Sequence, residues 1–156
     1  MGRYTNGKKG TTRGRILITA LCLIGLIGLA YDSVEVIRVV DGDTIKVLLN
    51  GEIETVRLVG VDTAECVKPG VGIQDGSLEA SAYTKGMLTG KWVLLVYSEP
   101  AQDFFGRYLA YVYLVDTETY PAKIVCFNWM LIENGYSDVY TKYKFKFREQ
   151  FIRAFE

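Results

Sequence analysis

Five charged residues of this chain could act together on one atom. Asp43 closes the tight DGD of DGDT (41–44), RLVGVDTAE (57–65) carries Arg57, Asp62 and Glu65, and Arg107 follows the glycine of DFFGR. Three carboxylates in one place repel unless a hard cation sits among them. An oxygen-only ligand set points to calcium or magnesium. Guanidinium forks match phosphate oxygens and stay charged through a reaction. A glutamate can take a proton from water. Together these groups suit hydrolysis of a phosphodiester. Taken alone, DGD is better read as a turn, and an arginine among apolar strand residues as a structural ion pair. The set as a whole carries the chemical reading.

Composition removes the main rivals. The chain has 156 residues, half of them hydrophobic, and no histidine. Without histidine there is no Ser-His-Asp or Cys-His site and no His-ligated zinc. Any general base is therefore a carboxylate, Lys, Tyr or Cys. Cys22, Cys66 and Cys126 lack CxxC spacing, which argues against a zinc cluster. Cys66 and Cys126 could pair if the fold brought them close; free, half-buried thiols are the simpler expectation.

The elements that must position these residues follow from periodicity and punctuation. VEVIRVV (34–40) is a strand, DGDT (41–44) a turn and TIKVLLN (44–50) a second strand. Asn50-Gly51 signals a type I′ hairpin into a third strand, 52–62. In such a meander the start of the second strand lies near the end of the third, so Asp43, Asp62 and Glu65 can converge. Residues 66–76 read as a loop. Residues 77–90 form a helix with Ser77 as N-cap and Gly90 beyond its end. Strands at 91–98 and 107–115 flank a loop, 99–106. Helices are expected at 122–135 and from 144 to the end. The class is α+β, mainly β: a five-stranded OB-type Greek-key barrel with about three packed helices. Fold alone assigns no function.

The start of the chain reads as an address. Residues 1–15 hold five basic residues and no acid, and 16–30 are uncharged and apolar. This is a signal peptide or a membrane anchor, with 31–156 as the folded domain outside the cell. Without the segment, the domain has thirteen basic residues against eighteen acidic. Such a domain is no basic nucleic-acid sponge; a polyanion must be met locally.

DGDT, RLVGVDTAE, LEASAYTKGML and DFFGRYLAYVY, in this order and spacing, resemble the staphylococcal nuclease (thermonuclease) family from about Val34 to Glu156. The resemblance implies calcium held by Asp43, Asp62 and the backbone carbonyl of Thr63. It implies that Glu65 activates the attacking water. It assigns Arg57 and Arg107 to the scissile phosphate and its five-coordinate transition state. It further implies cleavage of DNA and RNA with little sequence preference, leaving 3′-phosphate ends. Single-stranded or frayed nucleic acid is the expected preferred partner, and a monomer the expected state. The alternative from another class is a non-catalytic nucleic-acid-binding module of the same fold. Such copies tend to lose the arginine and acid set, and here all five residues are present. A carbohydrate- or peptide-binding barrel would explain the tyrosines but not those five.

The chain departs from the family at several points. Ala64 stands where proline is usual. Phe104 and Phe105 replace a lysine and a tyrosine that help hold a terminal phosphate; phenyl rings stack on bases instead. Tyr143 lies near the position of a substrate-stacking tyrosine, with Tyr140 as its rival. The last helix is expected to be short, with Phe147, Phe151, Ile152 and Phe155 on its buried face.

Overall fold

The computed structural model describes residues 31–64, 77–116, 118 and 122–155. The expected export segment 1–30, Glu65, Cys66 and the loop 66–76 lie outside the described residues, as does the side chain of Phe155.

The chain begins with three strands, β1 (Tyr31–Asp41), β2 (Thr44–Leu49) and β3 (Glu52–Leu58). Val34, Val36, Ile45, Val47, Val56 and Leu58 turn inward at alternating positions and are fully buried. β-Branched residues suit this pleated, half-buried role. The turn between β2 and β3 has positive φ at both Asn50 and Gly51, as a type I′ hairpin requires.

A short β4 (Val61–Asp62) precedes α1 (Ser77–Leu88). Ala80, Ser81, Thr84 and Leu88 form the buried side of α1. Gly90, at positive φ, ends it, and its amide donates to the Val36 carbonyl at 2.8 Å. β5 (Trp92–Gln102) and β6 (Tyr108–Asp116) follow. The strand order is β3-β2-β1-β5-β6, and β3 also pairs in parallel with β6. That pairing closes five strands into the expected barrel. Asn128, fully buried, pins the closure. Its carbonyl accepts from the Val112 amide (2.9 Å), and its NH2 donates to the carbonyls of Val59 (2.9 Å) and Ala110 (3.2 Å).

Four expected boundaries are corrected. The loop expected over 99–106 is shorter, because residues 99–102 continue β5. The third strand does not run through to residue 62. Gly60, at φ 80°, breaks it, and Val61–Asp62 instead pair with β8 (Asp138–Val139). The helix expected over 122–135 begins only at Phe127. Residues Lys123–Cys126 are β7, paired with β6, and α2 is Phe127–Glu133. The open edge of β6 recruits a run whose Ile124 and Val125 suit either structure. The helix expected from 144 begins at Arg148, giving α3 (Arg148–Phe155). Residues 144–147 are held off helix because Phe145 packs on Gly60 and Phe147 on Tyr111. Phe151 is buried as expected, while Ile152 and Phe147 are half-buried. Cys126 is a free thiol, and burial raises its pKa, so it is a poor nucleophile.

Candidate active site

The β1–β2 turn, the β3–β4 turn and the start of β2 meet at one end of the barrel. Thr44 and Arg57 face each other across β2 and β3. That register sets Arg57 beside Asp43. Arg57 Nη1 lies 2.7 Å from Asp43 Oδ2, and Nη2 lies 3.9 Å from Asp62 Oδ1. The Thr44 hydroxyl donates to Asp43 Oδ1 (2.9 Å) and the Thr63 amide to Asp43 Oδ2 (3.2 Å). The Leu58 amide donates to the Asp43 carbonyl at 2.9 Å. Asp43 is thus gripped from both neighbouring strands.

Gly42 is required here by space. A Cβ on it would stand 2.8 Å from Thr63 Oγ1. Its carbonyl accepts from the Thr84 hydroxyl of α1 at 2.8 Å, which ties the turn to the helix. On the other side, the Asp62 amide donates to Ser137 Oγ (2.9 Å), whose hydroxyl donates to the Asp138 carbonyl (2.8 Å).

Burial raises the Asp43 pKa. The Arg57 charge and the bonds from Thr44 and Thr63 oppose that push without cancelling it. Asp43 therefore gains from further positive charge. Asp62, with half its side chain exposed, shares the same guanidinium. Two carboxylates within reach of one cationic group form an oxygen donor set suited to a hard divalent ion. Of the three carboxylates expected to converge, Asp43 and Asp62 do so; Glu65 lies outside the described residues. Among the described residues there is no cluster of three acidic or thiol ligands.

Arg107 is placed differently. It precedes Tyr108, the first β6 residue paired with β3, where Arg57 faces Leu109. Continuing that register sets Arg107 two positions behind Arg57 along the same seam. Its ion pair is with Asp103, Nε to Oδ2 at 2.7 Å, not with Asp43 or Asp62. Asp103 Oδ1 accepts the amides of Phe105 (2.9 Å) and Arg107 (3.0 Å). Burial pushes the Asp103 carboxyl up, but these bonds and the Arg107 charge outweigh it and hold its pKa below the ordinary value. Nε is engaged by Asp103, and among the described residues the two Nη groups of Arg107 form the edge able to meet a further anion.

Phe104 and Phe105 are 98% and 79% exposed at the tip of the β5–β6 loop. The Phe105 ring centre lies 5.5 Å from the Arg107 guanidinium carbon. Tyr143 is exposed too, its ring centre 5.6 Å from that of Tyr140. Asp103 and Thr84 are site-supporting residues that the sequence reading missed. Asp103 had a signal: an Asp three residues before a glycine and four before an arginine, the pattern of an Asx-type turn. Thr84 had none.

Residues 55–156 match the family described as staphylococcal nuclease homologue. The match includes Arg57, Asp62, Glu65 and Arg107 and begins after Asp43. The chain is 48% identical over 93 residues to the thermonuclease of Staphylococcus intermedius, covering 60% of this chain and 55% of that one. It is 46% identical over 90 residues to the thermonuclease of Staphylococcus hyicus, covering 58% and 53%. It is 42% identical over 83 residues to the endonuclease YncB of Bacillus subtilis, covering 53% and 39%. The chain thus spans about half the length of these two thermonucleases.

Proposed function

We propose that this chain, which belongs to the staphylococcal nuclease homologue family, is a calcium-dependent nuclease hydrolysing DNA and RNA with little sequence preference. The observation that carries the reading is the Arg57 fork set between Asp43 and Asp62, 2.7 Å and 3.9 Å away. A guanidinium there can turn toward a phosphate without leaving the site.

In this reading Asp43, Asp62 and the Thr63 carbonyl hold calcium, which supplies charge neutralisation and a place for water when bound. Glu65 receives the proton of the attacking water. Arg57 and the Nη edge of Arg107 bind the nonbridging phosphate oxygens and favour the five-coordinate state, where their charge is best matched. The bond to the 5′ oxygen breaks and the phosphate stays on the 3′ end. Phe104, Phe105 and Tyr143 stack on unpaired bases, which favours single-stranded or frayed substrate. Residues 1–30 carry the domain out of the cell, as a cleaved signal or as an anchor, and the enzyme works as a monomer.

The test is cleavage of single-stranded DNA by the full chain, in calcium and in excess EDTA, beside Glu65→Gln. Calcium-dependent cleavage that is lost in the variant supports the reading. A folded wild-type protein that binds DNA but never cuts it would instead make the chain a binding module.

A further inference from the structure

The domain is acidic, yet four of its thirteen basic residues fall within seven positions. They are Lys142, Lys144, Lys146 and Arg148, at every second residue, and no acid lies between Asp138 and Glu149. Runs of charge are usually solvated faces with no further role. Three observations set this one apart.

First, its placement is fixed. Phe145, one of the aromatics between the cations, packs against Gly60, where a Cβ would stand 2.7 Å from the ring. Phe147 packs edge-on against the buried Tyr111, ring centres 5.0 Å apart. With these phenyl groups turned to the barrel, Lys142, Lys144 and Lys146 are left exposed. Second, no described residue neutralises the lysines: none of the three forms an ion pair with one, whereas Arg57 and Arg107 both do. Lys142 and Lys146 lie beside rings, 5.6 Å from Tyr140 and 5.8 Å from Phe147. Third, the strip starts at the candidate site. β8 pairs with β4 so that Asp138 faces Asp62, and the Tyr140 amide donates to the Gly60 carbonyl at 3.0 Å.

We infer that Lys142, Lys144 and Lys146 form a track for the phosphates of the nucleic-acid strand as it leaves the cleaved bond. The inference rests on the nuclease reading for its direction, since the two arginines put a phosphate at the head of the strip. It explains how an acidic domain holds a polyanion: exposed lysines spaced along an anchored segment add phosphate contacts without base readout. An anionic membrane would meet the same charges, but the segment is anchored at Gly60, two residues before Asp62 of the candidate site, which favours a strand.

The experiment uses the full chain in EDTA, where binding is read without cleavage. Affinity for a labelled oligothymidylate is measured against salt for the wild type and for Lys142→Gln/Lys144→Gln/Lys146→Gln. A charge-matched control, Lys85→Gln/Lys91→Gln/Lys123→Gln, carries exposed changes elsewhere. The track predicts that the strip variant loses about 2 from the slope of log affinity against log salt, and the control almost nothing. Equal loss in both variants would reduce the effect to bulk charge and overturn the track. So would an unchanged slope, or a wild type that does not bind. Binding to mixed phosphatidylcholine–phosphatidylserine vesicles is run alongside. Vesicle binding lost in the strip variant with oligothymidylate binding intact would reassign the strip to a membrane. Cleavage in calcium by the wild type is scored separately, so failure of the nuclease reading does not hide the result for the track.

Discussion

Arg57 and Asp43 hold each other at 2.7 Å with only 17% and 9% of their side chains exposed. Burial of a carboxylate beside a guanidinium is costly to undo from one side alone. Removing the arginine leaves a buried charge, which costs more than the pair contributes.

Arg57→Ala is therefore expected to lower stability by about 3 kcal/mol without metal. Adding Asp43→Asn should recover part of that loss, because the orphaned charge is gone. Calcium should raise the melting temperature of the wild type and of Arg57→Ala, but not of Arg57→Ala/Asp43→Asn. Chemical denaturation without calcium checks the first two expectations, and thermal unfolding with and without calcium the third. If the double variant is less stable than the single, Asp43 is held chiefly by Thr44 and Thr63. Activity of Arg57→Ala should fall by about two to three decades, the usual cost of one oriented donor.

Asp103 is expected to orient Arg107. Asp103→Asn keeps an oxygen for the Phe105 and Arg107 amides but loses the charged acceptor at Nε. Cleavage should drop by about one decade, equivalent to about 1.4 kcal/mol of barrier. The effect should largely vanish when Arg107 is already Ala. Equal losses in both backgrounds would make Asp103 a loop residue only.

The same pair sets a pH dependence. The Asp103 pKa is lowered in the folded protein. Its stabilising effect is then fully present above the ordinary carboxylate value of 3.8 and is lost as pH falls through the lower folded value. Asp103→Asn should flatten the acid limb of the melting temperature against pH. The gain is modest, because the Arg107 side chain is one-third exposed and solvent screens the pair.

How much of this was legible in the sequence depends on which contacts decide each element. The first three strands were readable because alternation in VEVIRVV and TIKVLLN specifies one buried face, and Asn50-Gly51 specifies the turn. With that register set, Arg57 had to face Thr44 and lie beside Asp43. Lys123–Cys126 could not be read, because a short apolar run fits strand and helix alike. The free edge of β6 decides it. The delay of α3 to Arg148 rests on Gly60 and Tyr111, distant in sequence from the phenyl groups they receive. The hold of Asp103 on Arg107 needs the loop closed before it exists.

Asn128 carries the seam between β3 and β6. Asn128→Ala would strip one buried acceptor from the Val112 amide and the NH2 donor from the carbonyls of Val59 and Ala110. Each buried group left unpaired costs about 1–3 kcal/mol. A loss of about 3 kcal/mol is expected, with activity falling only as far as the folded fraction does. Normal stability would mean that water replaces the amide.

Phe104 and Phe105 give the sharpest test of substrate preference. Both rings are exposed, stand 5.7 Å apart edge-on, and neither can donate a hydrogen bond to a phosphate. Stacking on one base contributes about 1–3 kcal/mol. Phe104→Ala/Phe105→Ala should therefore weaken single-strand binding by about tenfold or more, with little change on fully paired duplex. Adding a terminal phosphate to the oligonucleotide should change affinity little in the wild type. Phe105→Tyr should raise the preference for the phosphorylated end if its hydroxyl reaches that phosphate. A strong terminal-phosphate preference in the wild type would show that other groups hold that end, and the loop would then be no stacking platform.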